Sequence, residues 1–357
     1  YYLNLHNSKL PSMKTVYSPD HILRNAKTEL AGGQLVTPFE CHQRADYVVA
    51  AIKSQQLGQI VPPTQWPRQY VESIHDPGYL TFLDTVWQRW VNAGNQGEAI
   101  PNVWPSRSMP SQRIPRHIEG QLGYYSLAGE TSISGGTAEA AWVSANVALS
   151  AAELLNQHEH SAFALCRPPG HHASNDQYGG YCFINNAAIA AQKLRYDGAQ
   201  KVAILDVDFH HGNGTQKIFY QRDDVLFCSI HGDPMVAFPY FLGFADETGE
   251  GPGAGHNLNI PLPPGTPYSI WRVALCRAIT KILGYGADAI VVSLGVDTFE
   301  NDPISFFKLR SDDFIDMGKT IASMGLPTLF IMEGGYAVEE IGTNTVNVLK
   351  GFENLAG

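Results

Sequence analysis

The regular alternation of apolar strands and helices in the second half of the chain constrains the fold more than any other feature. Short, continuous Val/Ile/Leu-rich runs bounded by turns predict buried strands, and segments with helical spacing lie between them. The predicted strands are 161–166, 201–208, 225–231, 287–296 and 327–333, and the predicted helices are 185–196, 214–222, 268–283, 312–324 and 339–349. Strands buried on both faces are typical of parallel sheets covered by helices. The pattern therefore predicts an α/β fold with a single central parallel sheet flanked by helices.

The first half of the chain is predicted to be more helical, with helices at 39–55, 77–93 and 137–157. Segment 94–116 contains four prolines and little periodic pattern. It predicts a long ordered loop, and such loops are usually functional or interfacial. No segment has the composition of a linker, so residues 13–357 are predicted to form one domain. Residues 1–12 are interpreted as a short tail or an expression remnant, with Met13 as a candidate native start.

Composition and charge exclude several classes of protein. A formal net charge of −10 over 357 residues argues against nucleic acid, whose phosphates it would repel, and favours a cationic partner. No apolar run approaches the ~18 residues that suggest a membrane span, and the first residues lack the pattern of a signal peptide. The five cysteines are odd in number and widely spaced, which is typical of a reducing compartment, here predicted to be the cytoplasm.

The motif Asp206-Val-Asp208-Phe-His210 lies at the end of an apolar strand. Side chains alternate along a strand, so these three polar residues are expected on one face at its carboxyl end, where such sheets bind ligands. Burying two carboxylates together is costly unless a cation neutralises them; the alternative is a solvated loop. Asp297 ends a second strand and completes a set of two carboxylates and one imidazole. Such a set leaves a coordination position open for water, as catalytic zinc sites require.

Two further strand ends carry groups that suit hydrolysis. Arg167-Pro-Pro-Gly-His171-His172 presents adjacent imidazoles on a turn that the prolines and glycine fix. Adjacent histidines serve as general bases, metal ligands or surface residues, and this motif alone leaves all three open. Tyr336 follows Gly-Gly after a strand, where most tyrosines are structural. Together, these motifs would supply a metal, a base and a phenol donor at one sheet edge. That set favours metal-assisted amide hydrolysis.

Four motifs taken together, RPPGHH, DVDFHHGNGT, SLGVDTF and EGGY, resemble those of the zinc-dependent histone deacetylase superfamily. The resemblance covers about residues 14–350, and stretches such as RNAKTEL and DTFENDPISFFKL are similar to its bacterial acetylpolyamine amidohydrolase branch. It implies an arginase–deacetylase type fold. It implies one zinc per chain, held by three ligands: Asp208, His210 and Asp297. It also implies a tandem catalytic pair and a tyrosine that polarises the acetyl carbonyl: His171, His172 and Tyr336.

The resemblance further implies a structural potassium site beside the zinc, formed by Asp206 and Ser229 with nearby backbone carbonyls. In one respect the sequence departs from the family. Many histone deacetylases back both tandem histidines with aspartates, whereas Asn213 is the second partner here. A neutral partner does not raise the pKa of an imidazole as a carboxylate would. His172 is therefore expected to stay neutral near pH ~7 and to act as the base.

The expected substrate is a small cationic acetylated amine, which an acidic protein attracts. In the resembling branch, a loop such as 94–116 helps to form a homodimer and to narrow the channel. Glu119 and Glu130 follow this loop, and an acid at the channel mouth is expected to pair with the distal ammonium of the substrate; the alternative for both is solvated surface charge. Tyr181 and Phe238 are expected along the channel walls, where a methylene chain would pack.

Three other functions remain as alternatives. The same chemistry would serve a protein acetyl-lysine deacetylase. A binuclear manganese ureohydrolase would need more acids and histidines beside the ligands, where Val207, Phe209, Thr298 and Phe299 stand instead. A non-catalytic protein that binds acetylated ligands would have a decayed site, whereas every expected chemical group is present, Tyr336 included.

Overall fold

Eight strands from both halves of the chain form one parallel sheet in the computed structural model, which describes residues 12–157 and 159–356. The strands, in chain order, are β1 (Lys14–Val16), β2 (Glu29–Ala31), β3 (Gln34–Val36), β4 (Ile60–Val61), β5 (Ser161–Ala164), β6 (Val202–Asp206), β7 (Val225–Gly232), β8 (Asn257–Leu262), β9 (Ala289–Leu294) and β10 (Thr328–Met332). The order across the sheet is β4-β1-β5-β10-β9-β6-β7-β8, with every neighbouring pair parallel. β2 and β3 form a separate antiparallel hairpin. The predicted single parallel sheet is confirmed, whereas the predicted tail at 1–12, apart from Ser12, lies outside the described residues.

Helices cover both faces of this sheet. They are α1 (Gln43–Ser54), α2 (Gln69–Glu72), α3 (Pro77–Asn92), α4 (Ile118–Tyr125), α5 (Thr137–Asn156), α6 (Asn186–Tyr196), α7 (Asn213–Phe219), α8 (Tyr268–Tyr285), α9 (Asp313–Ala322) and α10 (Ile341–Ala356). One core cluster contains α1, α8, α9 and α10, and the other contains α3 to α6. Within β6, Ala203 and Leu205 pack into the first cluster, while Val202 and Ile204 pack into the second. Burial on both faces explains why the strands are almost continuously apolar.

The structure corrects the predicted end of one strand. The predicted strand 201–208 is β6, which already ends at Asp206. The Asp206 carboxylate accepts a hydrogen bond from Asp208 N at 3.1 Å, and the Asp208 carboxylate accepts one from His210 N at 2.8 Å. Such bonds to the backbone two residues ahead turn the chain away from the strand. The argument from side-chain alternation was therefore wrong for Asp208 and His210, which lie beyond the strand.

The expectation of a more helical first half left out its short strands. β1 and β4 have three and two residues, which is too short for a periodic signal, and β8 in the second half was also missed. Segment 94–116 contains neither helix nor strand beyond isolated bridges, as predicted for a long loop. Among residues 12–157 and 159–356, no helix combines the length and apolar character that a membrane crossing needs.

Candidate active site

Segments that follow four neighbouring strands meet at the carboxyl edge of the sheet. β5, β10, β9 and β6 are adjacent, so the loops after them converge even though they are distant in sequence. These loops carry the residues predicted to bind metal or act in catalysis: His171, His172, Asp208, His210, Asp297 and Tyr336. All six side chains are buried.

The three predicted metal ligands lie together. The ligand atoms of Asp208, His210 and Asp297 are all within 4.8 Å of one another. His210 Nδ1 is 3.0 Å from Asp297 Oδ2 and 3.3 Å from Asp208 Oδ1. Burial, followed by the charge of Asp208, raises the pKa of Asp297 well above its usual value. One buried carboxylate thus resists the ionisation of the other, and a cation between them would remove that resistance.

Backbone groups and glycines shape this carboxylate pair. Gly334 N donates to Asp208 Oδ2 at 2.8 Å, and Phe209 N donates to Asp297 Oδ1 at 2.7 Å. A Cβ atom at Gly295 would lie only 2.0 Å from Asp208 Oδ2, and one at Gly334 would lie 2.6 Å from a carboxylate oxygen of each aspartate. The strand ends therefore leave room for these two carboxylates and an imidazole. This donor set fits a divalent metal such as zinc, with a coordination position to spare.

The tandem histidines have different partners. His171 Nδ1 lies 2.9 Å from Asp206 Oδ2, and His172 Nδ1 lies 2.6 Å from Asn213 Oδ1. Asn213 Nδ2 donates to the His172 backbone carbonyl at 3.4 Å, so its amide oxygen faces the ring. An amide oxygen only accepts, which means that His172 Nδ1 carries the proton and its Nε2 is free to accept one.

The pKa values of the two imidazoles are shifted in opposite directions. Burial, reinforced by His171 and His210, lowers the pKa of His172 well below its usual value. Burial also opposes protonation of His171, but Asp208 and Asp206 outweigh it and raise the pKa of His171 well above its usual value. Asn213 supplies no carboxylate charge that would offset the lowering at His172, whereas Asp206 and Asp208 supply such charges to His171.

Tyr336 is held by its backbone and its ring. Asp302 Oδ2 accepts a hydrogen bond from Tyr336 N at 2.7 Å. The Arg44 guanidinium lies over the ring at 4.9 Å, and the Tyr181 ring centroid is 5.5 Å away. Burial, the largest influence, and the carboxylates of Asp208 and Asp297 raise the pKa of Tyr336 well above its usual value. The phenol therefore remains protonated and can donate a hydrogen bond.

A cavity of about 370 Å³ leads to this site. His172, His210 and Tyr336 line it. The carboxylates of Asp208 and Asp297 lie next to His210 but outside the lining. Tyr181 and Phe238 line its walls, together with apolar residues that the sequence did not indicate: Phe209, Val236, Ala237, Ile304 and Phe306. The Phe238 ring stands perpendicular to the His172 ring, with centroids 5.1 Å apart.

The two predicted channel glutamates are placed differently. Glu130 lines the cavity, and its Oε1 accepts hydrogen bonds from Gly180 N at 2.6 Å and Thr131 Oγ1 at 2.8 Å. Glu119 is exposed on α4 and is not among the residues that line the cavity. Within one chain, therefore, the structure brings only Glu130 to the predicted substrate channel.

The predicted potassium ligands are paired across two strands. Asp206 at the end of β6 lies opposite Ser229 of β7 in the sheet register, and both are fully buried. Ser229 Oγ is 2.8 Å from His231 Nδ1. Asp206 thus contacts His171 and also lies opposite a second buried side-chain oxygen, that of Ser229, on the neighbouring strand.

Several residues that support the site were missed. Glu333 Oε2 accepts hydrogen bonds from Gly170 N at 2.7 Å and His171 N at 3.1 Å, fixing the turn before the tandem histidines. Glu29 Oε1 accepts a hydrogen bond from the Tyr181 hydroxyl at 2.8 Å. Glu333 directly precedes the Gly-Gly-Tyr motif, so the motif could have indicated it. Arg44, Glu29 and Asp302 have no such local signal.

Known proteins are similar to this chain in sequence and fold. The histone deacetylase domain family matches residues 38–352. The chain is 59% identical over 339 residues to an acetylpolyamine amidohydrolase of Mycoplana ramosa, covering 95% of this chain and 99% of the relative. It is 54% identical to acetylpolyamine amidohydrolase 1 of Pseudomonas aeruginosa, covering 96% of this chain and 100% of the relative.

The crystal structure of an acetylpolyamine aminohydrolase from Burkholderia pseudomallei superimposes with a TM-score of 0.92 at 38% identity, covering 97% of this chain and 100% of that one. The implied arginase–deacetylase type fold is thereby confirmed. Because the family match extends over most of the sequence, the resemblance inferred from four short motifs is confirmed as well. The chain therefore belongs to the histone deacetylase family of amide-hydrolysing enzymes.

Proposed function

We propose that this enzyme hydrolyses acetylated polyamines to a polyamine and acetate, using one zinc ion per chain. The observation that carries the proposal is the buried trio of Asp208, His210 and Asp297 at the end of a cavity that His172 and Tyr336 also reach. The high identity to acetylpolyamine amidohydrolases along the whole chain supports the substrate class.

The trio would hold zinc through two carboxylates and one imidazole. The chemistry that bound zinc supplies is Lewis acidity toward water and toward the acetyl carbonyl. His172 Nε2 accepts the proton of the attacking water as the new carbon–oxygen bond forms. The Tyr336 hydroxyl donates a hydrogen bond to the carbonyl oxygen as negative charge develops there. A protonated histidine then transfers a proton to the amine nitrogen, the amide carbon–nitrogen bond breaks, and acetate is left.

The cavity supports a slender cationic substrate. Tyr181 and Phe238 would flank an apolar methylene chain. Glu130 Oε1 is engaged by Gly180 N and Thr131 Oγ1, whereas Oε2 has no hydrogen-bond partner in the described part of the chain. We propose that Glu130 Oε2 pairs with the distal ammonium. A role for Glu119 would require a contribution from a second copy of the chain.

A substrate panel tests the function. Acetylputrescine, acetylcadaverine, acetylspermidine, an acetyl-lysine peptide and intact acetylated histones are compared by kcat/KM with wild-type enzyme. The acetylated polyamines should be preferred, and equal activity on intact histones would instead favour the protein acetyl-lysine deacetylase. Absence of turnover with every substrate would favour a binding protein, and two manganese ions per chain in metal analysis would favour the ureohydrolase.

A single variant tests the substrate contact. Glu130→Ala should raise KM for acetylputrescine about 10-fold, because a charge-assisted contact is lost, while kcat for an uncharged acetyl amide stays near wild type. Glu72→Ala removes an exposed glutamate that is not part of the cavity lining and serves as the matched control. An unchanged KM for acetylputrescine in Glu130→Ala would contradict the proposed contact.

The remaining assignments are also proposals. Paired, buried Asp206 and Ser229 support a structural potassium ion, which potassium-dependent activity in exchanged buffers would test. The exposed apolar side chains of Val103, Met109 and Ile114 in segment 94–116 support a homodimer formed through this loop. All five cysteines are free, which supports a reducing compartment such as the cytoplasm.

A further inference from the structure

Segment 233–250 forms one wall of the cavity, and the backbone hydrogen bonds of its middle part, residues 234–242, are local. It contributes four lining residues: Val236, Ala237, Phe238 and Tyr240. The backbone hydrogen bonds donated by the N–H groups at 236, 237, 240 and 241 are all accepted by carbonyl groups of residues 233–239. Met235 is 73% exposed and Phe241 is 87% exposed. The position of this wall therefore depends on the packing of the buried Ala237 side chain and on the contacts that hold the two ends of the segment.

One end is held by the sheet, because Asp233 N donates to Leu262 O of β8 at 2.9 Å. The other end is held by Glu247. Its Oε2 accepts hydrogen bonds from Gln216 Nε2 at 2.7 Å, Gly243 N at 2.9 Å and Asn259 Nδ2 at 3.1 Å. A single carboxylate oxygen thus joins α7, β8 and the segment itself.

The end of the segment that Glu247 holds is also closely packed around Gly243. Gly243 has φ of +109°, and a Cβ atom there would lie 2.9 Å from the rings of both His211 and His231. His231 Nε2 also lies 2.8 Å from Gly243 O. The backbone at Gly243 is consequently pressed against two buried rings, and the hydrogen bond from its N–H to Glu247 fixes its orientation.

The same short helix serves the base and the wall. Asn213, the first residue of α7, contacts His172 Nδ1, and Gln216 lies about one turn further along the helix. The Phe238 ring packs edge-on against the His172 ring. A displacement of segment 233–250 relative to α7 would therefore change the width of the cavity beside the base.

We propose that Glu247 is a positioning residue that sets substrate affinity by fixing the cavity wall formed by Phe238 and Tyr240. The inference rests on the proposed function, since it concerns how the methylene chain of an acetylated amine is bound. Glu247 itself is not part of the cavity lining, so it acts through the segment it holds.

Three variants test this role. Glu247→Ala removes the common acceptor and should raise KM for acetylputrescine about 10-fold with kcat within about twofold, because charge-assisted hydrogen bonds are lost while the reacting groups are untouched. Glu247→Gln should stay within about threefold of wild type, because one amide oxygen can replace the single carboxylate oxygen that is used. Glu250→Ala is the matched control: Glu250 lies in the same segment and is exposed, and within residues 12–157 and 159–356 its side chain hydrogen-bonds only to Gln221.

Hydrogen–deuterium exchange adds a readout independent of activity. The Gly243 amide should exchange faster in Glu247→Ala than in wild type and in Glu250→Ala. If Glu247→Ala does not fold, Glu247→Asp replaces it: this variant keeps the charge but is one methylene too short to reach all three donors, and it should show the same rise in KM and the same faster exchange.

The outcomes separate this inference from the proposed function. An active wild-type enzyme whose KM is unchanged by Glu247→Ala would overturn the positioning role. So would a variant that loses kcat alone, which is the effect of general destabilisation, or a Glu247→Gln variant as impaired as Glu247→Ala. A wild-type enzyme inactive on acetylated polyamines would overturn the proposed function instead.

Discussion

Replacing Tyr336 with phenylalanine removes one hydroxyl group, and the structure separates this loss from any effect on folding. The Tyr336 hydroxyl has no hydrogen-bond partner among residues 12–157 and 159–356. The contacts that hold the residue are its backbone bond to Asp302 at 2.7 Å and the Arg44 guanidinium 4.9 Å from its ring. Phenylalanine retains both. The free energy of unfolding should change by less than about 1 kcal/mol, because no hydrogen bond within the protein is lost.

The effect on the reaction should be much larger. Removing one donor to a developing oxyanion typically lowers kcat by ~10²–10³, equivalent to about 2.7–4 kcal/mol. The hydroxyl interacts more strongly with the transition state than with the bound substrate, so KM should change little. Tyr336→Phe is therefore expected to fold and bind acetylputrescine normally but to turn it over slowly.

Three measurements check this expectation: steady-state kinetics with acetylputrescine, the melting temperature, and zinc content by elemental analysis. Tyr285→Phe is the control, because among the residues that the structure describes its hydroxyl hydrogen-bonds only to the Asp223 carbonyl, at 2.8 Å, and Tyr285 does not line the cavity. It should retain wild-type kcat. Near-wild-type turnover in a well-folded Tyr336→Phe would refute the donor role and leave Tyr336 as a structural residue.

Asp208→Ala and Asp297→Ala should each lose zinc and activity, because one of three protein ligands is removed; full zinc retention after dialysis in both variants would contradict the ligand assignment. Asn213→Asp places a carboxylate beside His172 Nδ1 and should raise the pKa of the ring. The base is then protonated up to a higher pH, so the acidic limb of the kcat/KM profile should move upward; an unmoved limb would argue against His172 as the base. Met109→Glu replaces an apolar side chain that is 54% exposed with a charged one and should convert the proposed dimer to monomer in light scattering, whereas an unaltered dimer would exclude this part of the loop from the interface.

The sequence predicted the second half of the fold well because central strands buried on both faces have an almost continuous apolar pattern. The predicted strand 225–231, for example, corresponds to β7 at Val225–Gly232. β1 and β4 lacked such a signal. β1 has three residues and β4 has two, and they become strands because β5 and β1, respectively, offer a parallel edge for pairing. Their existence depends on tertiary structure, which no local pattern reveals.

The site shows the same division between local and distant information. Asp208 and His210 could be predicted because both lie just past one apolar strand. Arg44 could not, since it donates from Nε to the carbonyl of Gly335, 291 residues later in the chain. Glu29 likewise meets the hydroxyl of Tyr181 across 152 residues. Such supporting contacts require the folded chain, whereas the groups proposed to act on substrate are concentrated in short motifs.

The tandem histidines show how one neighbouring residue can separate two otherwise similar groups. Both imidazoles are buried, and burial by itself lowers the pKa of each. Burial therefore cannot explain why their pKa values move in opposite directions. The difference lies in their partners and surroundings: His171 contacts the Asp206 carboxylate and faces Asp208, whereas His172 contacts a neutral amide and lies near two other imidazoles. A neutral base next to a protonated acid is what amide hydrolysis needs, since one proton must be taken from water and another given to the leaving amine. The choice of asparagine at position 213 thus supports the proposed division of roles more directly than the histidine pair itself.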